Sequence, residues 1–194
     1  MVRRFLVVGH RASTNPTFPL DDLAGSAGRM DILLNAANAA LLLAHDIRRD
    51  VEVGLVLLGP PSPPRFVRLQ GFRLQSYQPD IRSNAALVRR ALIEPSRVER
   101  ASSPGVLGSI TTFTEALDRF GPTFVHLTES GKDIREAALP ADATFVLSDN
   151  QDLTPEEQAA LRERGALAVA VGPTSLHTDH AIAIVHNELD RRHA

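Results

Sequence analysis

The sequence predicts one α/β domain over residues 1–194, with a mostly parallel sheet, helices on both faces and a small antiparallel hairpin insertion. Three observations carry this. The chain has 194 residues, enough for one sizeable core and too few for two ordinary ones. Short apolar, β-branched runs recur along it, and in its second half they alternate with segments of helical period. Hydrophobic residues make up 43% and charged residues 23%, the balance of a water-exposed globular protein.

The elements follow in order. Residues 4–8 form a short apolar run ending at Gly9, which reads as a buried strand. A polar, proline-containing loop runs to about Met30. Residues 31–47 are apolar nearly all round, which predicts a long helix buried on more than one side; a subunit interface is one way to bury it. Residues 51–58 give a second strand, stopped by Gly59-Pro60-Pro61. Residues 65–77 interleave polar and apolar positions after Pro63-Pro64, as expected of an antiparallel edge hairpin. Phe66 and Phe72 are expected in its core; the alternative is that they and Tyr77, set among arginines, belong to a nucleic-acid surface. Residues 82–94 predict a helix capped by Ser83 and stopped by Pro95, and residues 102–108 a turn-rich link.

Ile110, Phe113, Leu117 and Phe120 sit at helical spacing before Gly121-Pro122. Strands are expected at 123–127, 143–147 and 166–171. Thr154-Pro155-Glu156-Glu157 is a strong helix start, with a capping hydroxyl, a proline at the first helical position and a glutamate at the third. The last helix is expected over 179–192, with Thr178 as its cap.

Composition excludes several chemistries. There is no cysteine, hence no disulfide, thiolate metal site or cysteine nucleophile. No apolar run approaches the ~18 residues of a membrane span. The opening apolar stretch is too short for a signal peptide, so the expected location is cytoplasmic. The net charge of −2 hides a polarity: residues 1–100 carry 14 arginines against nine acids, and the remainder seven basic residues against 14 acids. The whole basic excess fits within residues 65–100, which points to an anionic partner on one part of the surface. With 5% aromatic residues and no tryptophan, folded RNA suits this surface better than a stacked single strand.

Ligands of parallel sheets bind beyond the carboxyl ends of strands. Three loops qualify: residues 128–133, 148–152 and 172–177. The first two are acidic and none of the three carries a glycine-rich phosphate motif, so they suit a neutral or cationic small molecule. His177 and His180 are spaced as metal ligands would be, but no third ligand accompanies them and no metal is expected. Ser148, Asp149 and His126 contain the residue types of a hydrolase triad without its G-x-S-x-G elbow.

The chain resembles the SPOUT-class RNA methyltransferases, and among them the TrmY family of tRNA pseudouridine-54 N1-methyltransferases. The resemblance runs essentially end to end. It rests on Phe5-Leu6-Val7-Val8-Gly9-His10, Gly28-Arg29-Met30-Asp31, Ala44-His45-Asp46-Ile47-Arg48, and Arg82-Ser83 leading into Leu87-Val88-Arg89-Arg90-Ala91-Leu92. Phe145-Val146-Leu147-Ser148-Asp149 and the run from Val171-Gly172-Pro173 to His180-Ala181-Ile182 complete it. It implies a C-terminal trefoil knot, a homodimer, S-adenosylmethionine as cofactor and tRNA or another structured RNA as partner. By matching position, Leu127, Ser148, Val171, Gly172, Pro173, Thr174, Ser175, Leu176 and Ala181 would contact the cofactor. Ser148 and Ala181 depart from the family's common glycine and cysteine. Asp31 and Arg29 are the candidates to orient the base and assist loss of its N1 proton, and Arg82, Arg89 and Arg90 to grip RNA phosphates. The implied activity is N1-methylation of pseudouridine in the tRNA T-loop. A SPOUT methyltransferase acting on another RNA nucleotide, or a non-catalytic RNA-binding homologue, stays open.

Overall fold

The computed structural model describes residues 2–192. Eight strands form a single sheet: β1 (Arg3–Gly9), β2 (Val51–Leu57), β3 (Arg65–Gln70), β4 (Arg100–Ser103), β5 (Val106–Ser109), β6 (Phe124–Asp133), β7 (Thr144–Ser148) and β8 (Leu167–Ala170). Their order is β4-β5-β3-β2-β1-β7-β6-β8. The five strands from β2 to β8 are mutually parallel, and β3, β5 and β4 add an antiparallel flank. Both β1 and β2 are buried on both faces, which is why they read as near-continuous apolar runs.

Five helices cover the sheet. On one face α1 (Met30–Leu41) packs against α2 (Ile81–Leu92) and α5 (Thr178–Arg192) over the larger core, which includes Phe5, Phe145 and Ile182. On the other, α3 (Phe113–Arg119) and α4 (Pro155–Glu163) enclose Leu6, Phe66 and Phe120. Both helices on this second face begin with reciprocal capping boxes, Thr112 with Glu115 and Thr154 with Glu157.

Several expectations are corrected. The helix expected over 31–47 ends at Leu41; Leu42 turns extended and pairs with Ile47, so the following residues form a turn. Its wide apolar surface packs within the chain against the sheet, α2 and α5. The hairpin expected at 65–77 is a single strand, β3, paired on one side with β2 and on the other with β5. The real hairpin is β4–β5, in the segment read as a link, closing on Gly105 at φ +77°. Phe72 is not core: it is 52% exposed. Asp80, not Ser83, caps α2, accepting from the Arg82 and Ser83 amides. Thr178 caps nothing; its hydroxyl donates to the Ser148 carbonyl at 2.7 Å, tying the start of α5 to the end of β7.

Candidate active site

A cleft of about 400 Å³ opens beyond the carboxyl ends of β6, β7 and β8, where adjacent parallel strands feed diverging connections. One wall is a bulge in β6. The β6–β8 register jumps between Leu127 and Lys132, both of which face Val169, so residues 128–131 are pushed out of the ladder. Gly131 is required there: a β-carbon would sit 2.4 Å from the Val169 backbone nitrogen. The opposite wall is the segment 171–176 after β8, and the floor is Leu147, Ser148, Thr178 and Ala181. Gln158, Leu161 and Arg162 of α4 close the side.

The three loops expected to build a ligand site do meet here. Leu127, Ser148, Val171, Gly172, Thr174, Ser175, Leu176 and Ala181 all line the cleft. Pro173, between Gly172 and Thr174, is exposed and does not line it. Glu129 is held below the usual carboxylate range by a hydrogen bond from Ser175 and so stays ionised. His126 is shifted down by burial and stays neutral. Glu129 and Asp152 offer negative charge and Arg162 positive charge, above a floor of leucine, valine and alanine side chains. This donor set fits a zwitterionic or cationic ligand with an apolar ring.

Asp149 behaves differently from the other two acids. Its side chain is fully buried and turned toward His10. One oxygen accepts the His10 amide at 2.8 Å; the other meets the His10 Nδ1 at 3.2 Å and the Gln151 amide at 2.9 Å. The far side of the imidazole, Nε2, lies 2.9 Å from Glu157 Oε2. The Asp149 hydrogen bond first, then that of Glu157, push the imidazole up to about 9, so His10 is a cation clamped by two carboxylates. Burial opposes the charge on Asp149, but His10 and the Gln151 amide hold its carboxyl below the usual range. This cluster joins the end of β1, the end of β7 and the cap of α4, and so shapes the 149–153 wall. Sequence reasoning missed it, because 139 residues separate His10 from Asp149; the only signal was that each follows a buried strand. The same contact removes the hydrolase triad: Asp149 serves His10, not His126.

Arg29 and Asp31 form a bidentate pair at 3.0 and 3.1 Å. They do not line the cleft, although the Arg29 guanidinium feels the charge of Asp149. Arg29 sits at φ +65° after Gly28 at the same φ, an uncommon backbone state for arginine. Gly28 has no alternative, since a β-carbon would fall 1.8 Å from the Arg11 carbonyl oxygen. Of the three candidate RNA arginines on α2, Arg82 and Arg90 are exposed. Arg89 is half-buried: its Nε donates to the Pro16 carbonyl at 3.0 Å and its guanidinium lies over Phe18. His177 and His180 stack edge-on, 5.9 Å apart. Among the described residues no group of three or more His, Asp or Glu is placed to hold a metal ion.

Comparison with known proteins places the whole chain. Residues 2–194 match a family described as SAM-dependent RNA methyltransferase. The chain is 47% identical to the tRNA (pseudouridine(54)-N(1))-methyltransferase of Methanocella arvoryzae over 98% of this chain and 100% of that one. It is 43% identical to the protein of the same name from Haloferax volcanii, over 97% and 96%. In fold it is similar to Archaeoglobus fulgidus Nep1 bound to S-adenosylhomocysteine, with a TM-score of 0.66, 16% identity and complete coverage of both chains.

Proposed function

The chain belongs to the SAM-dependent RNA methyltransferase family, and on that premise we propose that it methylates N1 of pseudouridine 54 in tRNA. The observation that carries this reading is the end-to-end identity with relatives of that activity. The cleft supports it, because its charges and apolar floor suit S-adenosylmethionine, which supplies a methyl group already activated on a sulfonium.

The residues then have separable roles. Leu127, Leu147, Val171, Leu176 and Ala181 give an apolar seat for an aromatic ring and exclude water. Glu129 and Asp152 complement positive charge, and Arg162 complements a carboxylate. Asp31, oriented by the Arg29 fork, takes the proton that N1 loses. Arg82 and Arg90 hold RNA phosphates. The chain works as one domain with its C-terminal third threaded as a trefoil knot, a connection rare among folds. It works as a homodimer in the cytoplasm. The resemblance to knotted methyltransferases supports these last points, and sedimentation of the purified protein tests the dimer.

The deciding experiment methylates tRNA transcripts with pseudouridine or uridine at position 54, side by side. The pseudouridine transcript alone should gain a methyl group. Asp31→Asn should lower kcat by about 10²-fold or more with little change in cofactor affinity. Equal methylation of both transcripts would reassign the nucleotide, and no cofactor binding at millimolar concentration would reject the activity.

A further inference from the structure

The basic segment that the sequence singles out holds three aromatic residues, and the structure separates them. Phe66 and Tyr77 are buried, whereas Phe72 is exposed. Phe72 is not on a loose loop. Its turn is closed by the Arg73 and Leu74 amides donating to the Gln70 carbonyl. Arg49 Nη1 staples it from behind, donating to the Gly71 carbonyl at 3.2 Å and the Leu74 carbonyl at 2.6 Å. Leu74 anchors it in the core. An apolar ring is thus held rigidly in solvent, with the Arg73 guanidinium 5.3 Å from its centroid.

Phe72 borders a shallow hollow walled by Arg49, Arg73, Gln75 and residues 101–105, the end of β4 and the turn into β5. Two arginines and no carboxylate line it; Arg49 pairs with Asp46 at 3.2 Å. Among the described residues Arg73 has no ion-pair partner, and its guanidinium lies against the Phe72 ring. An aromatic face with a stacked guanidinium and unneutralised positive charge is the chemistry that takes an unpaired nucleobase and its flanking phosphates.

We propose that this hollow is a second RNA contact, in which an unpaired base of the substrate tRNA stacks on Phe72 while Arg73 meets the adjacent phosphate. It rests on the tRNA reading above and goes beyond it in place. Because β3 is antiparallel, Gln70 pairs with Glu52 near the start of β2, so Phe72 lies at the opposite end of the sheet from the cleft. Four strand spacings and one strand length separate them, roughly 30 Å. The contact therefore reads a part of the tRNA other than the target loop.

The test compares wild-type protein with Phe72→Ala, Phe72→Tyr and Arg73→Ala. It measures affinity for full-length tRNA and for a short stem-loop carrying only the target loop, each across a salt series, with light scattering and thermal melts alongside. Phe72→Ala should weaken full-length tRNA about tenfold and leave the stem-loop unchanged, while Phe72→Tyr keeps wild-type affinity. Arg73→Ala should reduce the salt slope by about one. Unchanged tRNA affinity in Phe72→Ala, or equal loss for both RNAs, overturns the proposal. So does a change of oligomeric state in Phe72→Ala, which would make the occupant a second copy of this chain. Wild-type protein that binds tRNA through Phe72 but does not methylate it would sink the activity and keep the contact.

Discussion

Two histidines, His10 partly and His186 fully buried, are held in opposite protonation states by their neighbours. His10 sits between Asp149 and Glu157, whose hydrogen bonds push it up to about 9. His186 is pushed down to about 4, by burial first and then by the charge of Arg48. His186 Nε2 donates to the Ala40 carbonyl, and its Nδ1 accepts from Arg3, an arrangement only the neutral ring can make. The signs follow from linkage. His10 contributes stability below its unfolded pKa near 6.5, which is lost as pH rises through about 9. His186 costs stability as pH falls from about 6.5 toward 4, because the unfolded ring takes a proton that the folded ring refuses. Each effect is on the order of 3 kcal/mol at its limit. Urea unfolding across pH should give a maximum near pH 6.5; His10→Gln should flatten the alkaline limb and His186→Gln the acid limb. The α2 arginines also divide by partner. Arg82→Ala with Arg90→Ala should weaken tRNA binding and cut its salt slope by about two, read by a filter-binding salt series. Arg89→Ala should instead loosen the loop that it fastens at Pro16, read as faster hydrogen exchange there. At this scale the sequence showed the residue types of the cleft, and eight of the nine expected cofactor residues line it. It could not show that Asp149 is spent on His10, because a side chain's partner depends on chain brought from elsewhere.

Elements were most legible where their signals are local. The start of α4 was readable to the residue, since cap, proline and glutamate lie within four positions. Removing the cap by Thr154→Ala should cost about 1 kcal/mol in chemical denaturation. Because Glu157 also holds His10, Glu157→Ala should cost more and weaken cofactor binding through the 149–153 wall. Elements that depend on a distant partner were read less well. The apolar run after Leu41 continues the helical composition through Leu42 and Leu43, but Leu42 pairs with Ile47 and the helix stops. Residues 102–108 look like a link because β4 is short and half-exposed; it becomes a strand by pairing with β5. The β6 bulge left a faint mark at Gly131, whose meaning appears only when Val169 is beside it.

Over the whole molecule, α5 decides where the cleft lies and closes the larger core. Ile182, Val185 and Leu189 are buried against the α1 side of the sheet, and Asp190 receives Arg3 at 2.6 Å and Arg48 at 2.7 Å, binding the last helix to the first strand. Ile182→Ala should destabilise the protein by about 3 kcal/mol by leaving a cavity, read as a lower denaturation midpoint with unchanged slope. The charge polarity of the chain also acquires a spatial meaning. The exposed arginines of α2 and the Phe72 turn belong to the β3–β5 flank, and the acids of the cleft to the β6–β8 flank. By itself the sequence determined the α/β class, the alternation of strands and helices, the three loops of the cleft and the family, because periodicity, caps and short motifs are written in neighbouring residues. Only the tertiary structure decided that β4–β5 is the hairpin, that His10 rather than the cleft claims Asp149, and that Phe72 alone of its segment's aromatics faces solvent. Burial and pairing are properties of what lies across the fold, and no window of sequence contains both sides.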